Sequence, residues 1–203
     1  MQLEKEVIIV EQISNNQKEM KFMKVFLIIL AILVVLFIII YAYYGGFKKI
    51  SFKIENQGGE FVVYENLTGD YSQSPKISDR VYYTLLNDEK IATTKGIGIY
   101  YDNPKKVAKE KLRSEIGCIV ENADSTTLTG LAEKYKVKTL HQNEFVVAEF
   151  PFKGKLSVLF GIMKVYPALD KFCKEQGYAE SPITEIYDVP NKKIIYRKET
   201  KKE

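Results

Sequence analysis

The sequence predicts an α+β domain of two strand–helix–strand–strand (βαββ) modules, carried behind one transmembrane helix. Three observations predict it. Residues 25–44, VFLIILAILVVLFIIIYAYY, pass without a charge, an amide or a proline. Two later segments, opening EFVVYEN at Glu60 and EFVVAEF at Glu144, each lead a run of strand, helix, strand and strand. Between them, residues 96–122, GIGIYYDNPKKVAKEKLRSEIGCIVEN, read as a strand, a turn with one basic helical turn, and a second strand.

The apolar run is long enough to cross a bilayer, since a helix rising ~1.5 Å per residue covers a ~30 Å hydrocarbon core in about twenty residues. A signal-peptide core is shorter and ends at a small-residue cleavage site, whereas this run ends YAYYGG. Tyr41, Tyr43 and Tyr44 suit an interfacial aromatic belt. The expected division is therefore a polar tail (1–23), a transmembrane helix (24–45), a linker or stalk (46–59) and a soluble domain (60–203). Lys18, Lys21 and Lys24 on one flank balance Lys48, Lys49 and Lys53 on the other, so the positive-inside rule does not set the orientation.

Within the linker, residues 50–54 read as a brief strand or a stalk, and Asn56-Gln57-Gly58-Gly59 as a turn. The first module (60–122) opens with a β-branched and aromatic strand at 60–65. Ser74-Pro75 then supplies a capping side chain and a proline at the first helical position. Ile77, Val81, Tyr82, Leu85 and Leu86 recur at helical spacing, which predicts an amphipathic helix over 76–86. Asn103-Pro104 stops the next strand, because proline removes a ladder donor. Gly117 interrupts the strand after it, which signals a bulge or a close backbone approach. Residues 123–140 form a connector with a short helix near 131–136.

The second module (140–203) repeats the order. A strand over 144–150 precedes a helix over 156–176, closed by Gly177. Pro167 should kink or restart that helix. Its expected core stripe is Leu159, Ile162, Met163, Tyr166, Leu169 and Phe172. Two strands, 183–189 and 193–197, turn through Pro190-Asn191.

Composition excludes several functions. The chain has 203 residues and a net charge of +4, and its first 24 residues hold four Lys and four Glu. The excess is thus modest, spread over the part after the anchor, and lacks the basic-aromatic clustering of a nucleic-acid face. No P-loop, GxSxG, HExxH or paired CxxC occurs, and Gly96-Ile97-Gly98 is an incomplete dinucleotide fingerprint inside a strand. His141, the sole histidine, stands in a polar run, HQNE. No cofactor and no metal site is expected. Cys118 and Cys173 read as buried free thiols, suited to a reducing compartment, with a single disulfide as the alternative.

One polar residue is placed for chemistry. In Ile183-Thr184-Glu185-Ile186-Tyr187, strand alternation puts Glu185 and Tyr187 on one face, with Ile186 on the other. A carboxylate and a phenol sharing a sheet face suit an amphipathic cation. The alternative is a solvent-facing glutamate on an antiparallel sheet.

The runs YYDNP…EKLRSEIG, YPALDKFCKEQGY and PITEIYD…IIY, in that order, resemble the GyrI-like small-molecule-binding domains and their membrane-anchored members. The resemblance covers about 60–203. It implies two βαββ modules related by a pseudo-two-fold axis, with a ligand groove between them and Glu185 in that groove. With no tryptophan to build an aromatic wall, the expected ligand-binding residues are Glu185, Tyr187, Tyr64, Tyr100 and Tyr166. Hydrolase members imply an alternative in which Glu185 activates water or attacks carbon. A third reading is a membrane adaptor that binds proteins through its surface. Only six residues follow Arg197, so the expectation is a domain without the long tail of some anchored relatives. The expected partners are a bilayer, through residues 25–44, and an unidentified small molecule, with the soluble domain facing the cytoplasm.

Overall fold

The computed structural model describes residues 2–202, with side chains from residue 15 onward. It divides into two units, 1–47 and 48–203. The first is one helix, α1 (Gln2–Tyr43), which includes the segment read as a polar tail. Nothing between Gln2 and Tyr43 breaks helix; Gly45, at φ 87°, follows its end. From Asn15 to Tyr43 the helix is long and apolar enough to span a membrane, with a mean hydropathy of 3.5 in its most apolar window and none of that window buried.

The second unit is one eight-stranded antiparallel sheet with three helices. Its elements are β1 (Lys53–Gln57), β2 (Phe61–Thr68), α2 (Ser74–Asn87), β3 (Lys95–Tyr100), β4 (Arg113–Val120), α3 (Ser125–Lys134), β5 (Lys136–Thr139), β6 (Asn143–Pro151), α4 (Lys155–Glu175), β7 (Ile183–Asp188) and β8 (Lys193–Glu199). The strand order, β1-β6-β8-β7-β3-β4-β2-β5, is symmetric about the central β7–β3 pair. The two modules, β2-α2-β3-β4 and β6-α4-β7-β8, meet there with Ile97 opposite Ile186.

Two strands extend the sequence reading. The stretch expected as a linker supplies β1, which pairs with β6, and the connector ends in β5, which pairs with β2. Each short strand thus lies beside the first strand of the other module. This exchange curls the sheet. Only Gly58, Gly59 and Glu60 join β1 to β2, a reach of about 14 Å when extended. Yet the two strands are six places apart in the order, about 29 Å in a flat sheet. Leu140, His141 and Gln142 join β5 to β6 under the same constraint. The two links bond to each other, Gly59 N donating to Leu140 O (2.7 Å) and Leu140 N to Glu60 O (2.9 Å). Gly58 and Gly59 have φ of 120° and 86°, and a Cβ at Gly58 would lie 2.1 Å from His141 O. Only glycine fits that crossing.

The inner face of the roll packs Val62, Ile97, Ile99, Ile119 and Ile186. Arg197, 1% exposed, reaches across it to Glu60 (2.8 and 3.1 Å). On the outer face α2 buries Ile77, Val81 and Leu85 against Val63, Leu67 and Ile116. α4 buries Val165 against Ala148, Phe150, Ile194 and Tyr196.

Several local expectations change. Ser74 is no cap: Asp70 caps a preceding 3-10 turn, Tyr71–Gln73, and Ser74 is buried in the first turn of α2. α4 passes Pro167 without restarting. The face that α4 buries is Ser157, Gly161, Val165, Leu169 and Cys173, at strict four-residue spacing. Leu159, Ile162 and Met163, expected in the core, are 50%, 40% and 62% exposed. Gly117 marks a close approach and no bulge, since its pairing is regular and a Cβ there would sit 1.9 Å from Val63 O. Cys118 and Cys173 are buried free thiols.

Candidate functional site

Because α2 and α4 each cover one module, the β3–β7 pair between them is left as the floor of a groove of about 2040 Å³. Period-2 alternation aims Glu185 and Tyr187 of β7 into it. Directly opposite in β3 stand Gly98 and Gly96. These two glycines remove the side chains that would fill the floor. Tyr100 folds over the vacated position, its ring 2.8 Å from where a Gly98 Cβ would be.

Glu185 is 1% exposed. Its Oε1 accepts from the Tyr166 hydroxyl of α4 at 2.9 Å, and its Oε2 accepts from the Tyr187 hydroxyl. No lysine or arginine pairs with it among the described residues. Burial raises its pKa, and the two phenol hydrogen bonds only partly offset that. Burial, followed by the nearby Glu185 charge, raises the phenol pKa values of Tyr100, Tyr166, Tyr187 and Tyr196, so all four rings stay neutral.

The structure therefore brings together Glu185, Tyr187, Tyr100 and Tyr166. It does not bring Tyr64, which packs against the inner-face cluster of Val62, Ile97, Ile99, Ile119 and Ile186, under the Lys138 ammonium (5.1 Å). The cause is parity. In register, Tyr64 faces Gly117, and Gly117 faces Ile97, an inner-face position.

Sequence reading missed Tyr196, Tyr71 and Phe152. Tyr196, paired with Glu185 across β8, is fully buried, with its ring edge-on to Tyr166 at 6.0 Å. It fits because α4 carries Gly161 there: a Cβ would be 2.2 Å from the Tyr196 hydroxyl. Tyr71 packs edge-on to Tyr100 (4.9 Å), and Phe152 to Tyr187 (5.7 Å). The YYDNP run serves the groove indirectly. Asp102 accepts two bonds from the Arg113 guanidinium (2.8 and 2.9 Å), and its amide donates to the Tyr71 hydroxyl (3.2 Å). That latch holds the loop at the groove's end. The available signal for the floor was Gly-Ile-Gly within a strand, which empties one face while keeping the other apolar.

A duplicated βαββ sheet with a carboxylate under tyrosine rings, in a groove between the module helices, defines a small-molecule-binding domain. The chain belongs to the GyrI-like family, matching the GyrI-like small molecule binding domain over residues 52–199. It is 34% identical over 99 residues to testis-expressed protein 264 of Homo sapiens and to its homolog in Mus musculus. Those alignments cover 46% of this chain and 32% of each relative, so the chain spans about a third of the length of the curated relatives it matches. Among solved structures, the EcmrR C-terminal domain superposes with a TM-score of 0.56 at 11% identity, over 76% of this chain and 99% of that one. SAV2435 bound to tetraphenylphosphonium gives 0.51 at 14% identity, over 74% and 94%. At such identities the likeness is one of fold.

Proposed function

We propose that the groove binds amphipathic organic cations, with Glu185 as counter-ion and Tyr166, Tyr187 and Tyr100 as ring walls, on a domain that α1 tethers to a membrane. The observation that carries this reading is a fully buried carboxylate whose hydrogen bonds come from phenols and which no basic side chain among the described residues neutralises. A buried charge without a partner is costly, so such a carboxylate is a place prepared for a cation. Aromatic faces add cation–π attraction to the Coulomb term. The tetraphenylphosphonium bound by SAV2435 is a ligand of this chemistry on the same fold.

The test is a thermal-shift titration with tetraphenylphosphonium and with triphenylphosphine oxide as a neutral analogue. At a hundred times its dissociation constant the cation should add ~2.7 kcal/mol to stability. Glu185→Gln should weaken the cation by about 2–5 kcal/mol and the neutral analogue much less. Equal cation binding by parent and variant would remove Glu185 from the site. A raised, buried carboxyl is also suited to acid–base chemistry. Glu185-dependent turnover of an epoxide or cyclopropane would move the reading from binding to hydrolysis.

Tethering rests on the apolar length of α1. The full chain should remain in the membrane pellet after alkaline carbonate washing, and release would refute the anchor. The two buried free thiols support a cytoplasmic face for the domain. Impermeant thiol labelling of intact cells, after chemical unfolding at the surface, should then leave Cys118 and Cys173 unmodified.

A further inference from the structure

We propose that the groove's ligands are betaines: amphiphiles that carry an acidic group beyond the cationic centre, recognised by Lys198. The inference rests on the reading that Glu185 takes a cation, and it adds a second charged subsite and an order of groups along the ligand. On β8, Lys198 follows Tyr196 by two residues, and Tyr196 is the register partner of Glu185. Lys198 therefore shares the groove face with Glu185, displaced along the floor by one pleat repeat, about 7 Å. On α4, Asp170 follows Tyr166 by four residues, about one helical turn further in the same direction. Floor and wall thus step together, from Glu185 and Tyr166 to Lys198 and Asp170.

Lys198 is 7% exposed and lines the groove. Its ammonium has three donors, and Asp170 Oδ1 lies 3.5 Å away, well beyond a close charge-assisted bond. The other charges at this end add a cationic excess. Lys106 and Lys174 also line it and, like Lys198, act on Glu180, so three lysines face two carboxylates, Asp170 and Glu180. Beyond Glu185 in the opposite direction the same wall of α4 presents Leu159, Ile162 and Met163, exposed and apolar. Along the groove the sequence of chemistries is apolar wall, anionic centre, cationic end. The complementary ligand reads tail, ammonium, acid. A phospholipid of the phosphocholine type has its acid between tail and ammonium and fits the order poorly.

The experiment uses the full chain in lipid nanodiscs and three hexyl probes: hexyltrimethylammonium, N-hexyl-N,N-dimethylglycine and hexylphosphocholine. Calorimetric titration of Glu185→Gln supplies the baseline for partition into lipid. The dimethylglycine betaine should bind about tenfold tighter than hexyltrimethylammonium, the gain expected of one added charge-assisted contact. Hexylphosphocholine should gain less than the betaine. Lys198→Met should close the gap by weakening the betaine, and Asp170→Asn, which frees the ammonium, should widen it. A purely structural role for the lysine would not make Asp170→Asn widen the gap. Equal binding of betaine and trimethylammonium, with both lost in Glu185→Gln, would overturn this inference and leave the cation reading standing. Binding of neither probe above the Glu185→Gln baseline would overturn both. Tighter binding of hexylphosphocholine than of the betaine would overturn the proposed order.

Discussion

At the scale of single residues, the burial of Glu185 costs stability, and under the proposed reading that cost prepares a cation site. Burial raises its pKa, so the folded protein holds this proton to a higher pH than the unfolded chain does. Between the ordinary carboxyl value of 4.5 and the raised value, the folded state binds more protons and stability falls as pH rises. The slope in that window is about 1.4 kcal/mol per pH unit. Glu185→Gln removes the penalty, so its melting temperature should exceed the parent's at neutral pH, and the difference should vanish towards pH 4.5 and below. Organic cations should bind the parent more tightly as pH rises through the same window. A stability difference that ignores pH would mean that the carboxylate is solvated. Tyr196 is a second case. Its buried hydroxyl has no hydrogen-bond partner among the described residues. Tyr196→Phe should therefore stabilise the domain by about 1 kcal/mol, the cost of an unmet buried donor. A lower melting temperature would indicate a bridging water. Glu185 and Tyr187 were legible in the sequence because alternation fixes their common face. Tyr64 was misplaced because which face a strand residue takes depends on pairing register, and register is set by partners far away in the chain.

At the scale of elements, most strand and helix placement followed from proline, glycine and apolar spacing, and the buried face of α4 departs from it where that helix borders the groove. α4 shows why. A core stripe of Leu159, Ile162 and Met163 is the ordinary reading of an amphipathic helix. The helix instead buries Ser157 and Gly161 together with Val165, Leu169 and Cys173, because Tyr196 needs the space that small residues leave. The larger apolar residues then face the groove. Periodicity counts apolar residues and cannot tell a core from a ligand surface, since both are apolar. A substitution cycle tests this packing. Gly161→Ala puts a Cβ 2.2 Å from the Tyr196 hydroxyl. It should cost about 1–3 kcal/mol, as overpacking does. In the Tyr196→Phe background the same change should cost clearly less, because the clashing oxygen is gone. Equal costs in both backgrounds would place the strain in the backbone of α4.

At the scale of the whole molecule, the exchange of β1 and β5 between modules makes one cooperative sheet from a duplication. The echo EFVVYEN and EFVVAEF showed the repeat in the sequence, but residues 50–54 read only as a brief strand or a stalk and β5 lay within the connector, because each pairs with a strand of the other module. The roll that results is closed inside by Arg197 and Glu60. Burial raises the Glu60 pKa, but the Arg197 hydrogen bonds and charge outweigh it, so the net shift is downward. The stability from that pair is present above the ordinary carboxyl pKa of 4.5 and is lost as pH falls, opposite in sign to Glu185. Glu60→Gln, which leaves a buried guanidinium uncompensated, should cost about 3 kcal/mol at neutral pH in chemical denaturation. A loss under about 1 kcal/mol would mean that the arginine finds other partners. The outer closure is the pair of crossing links, and it predicts where the domain begins. A protein starting at Lys48 keeps β1 and the Gly58-Gly59 crossing, and should unfold in one transition. A protein starting at Glu60, the boundary that the repeat itself suggests, loses both. It exposes the edge of β6, where Val146 and Phe145 pair with Ile54 and Glu55. An unpaired apolar edge recruits other chains. The shorter protein should therefore melt at a lower temperature and associate with rising concentration in sedimentation. Matching melts and a monomer for both would show that the sheet closes without β1, and would move the domain boundary back to Glu60.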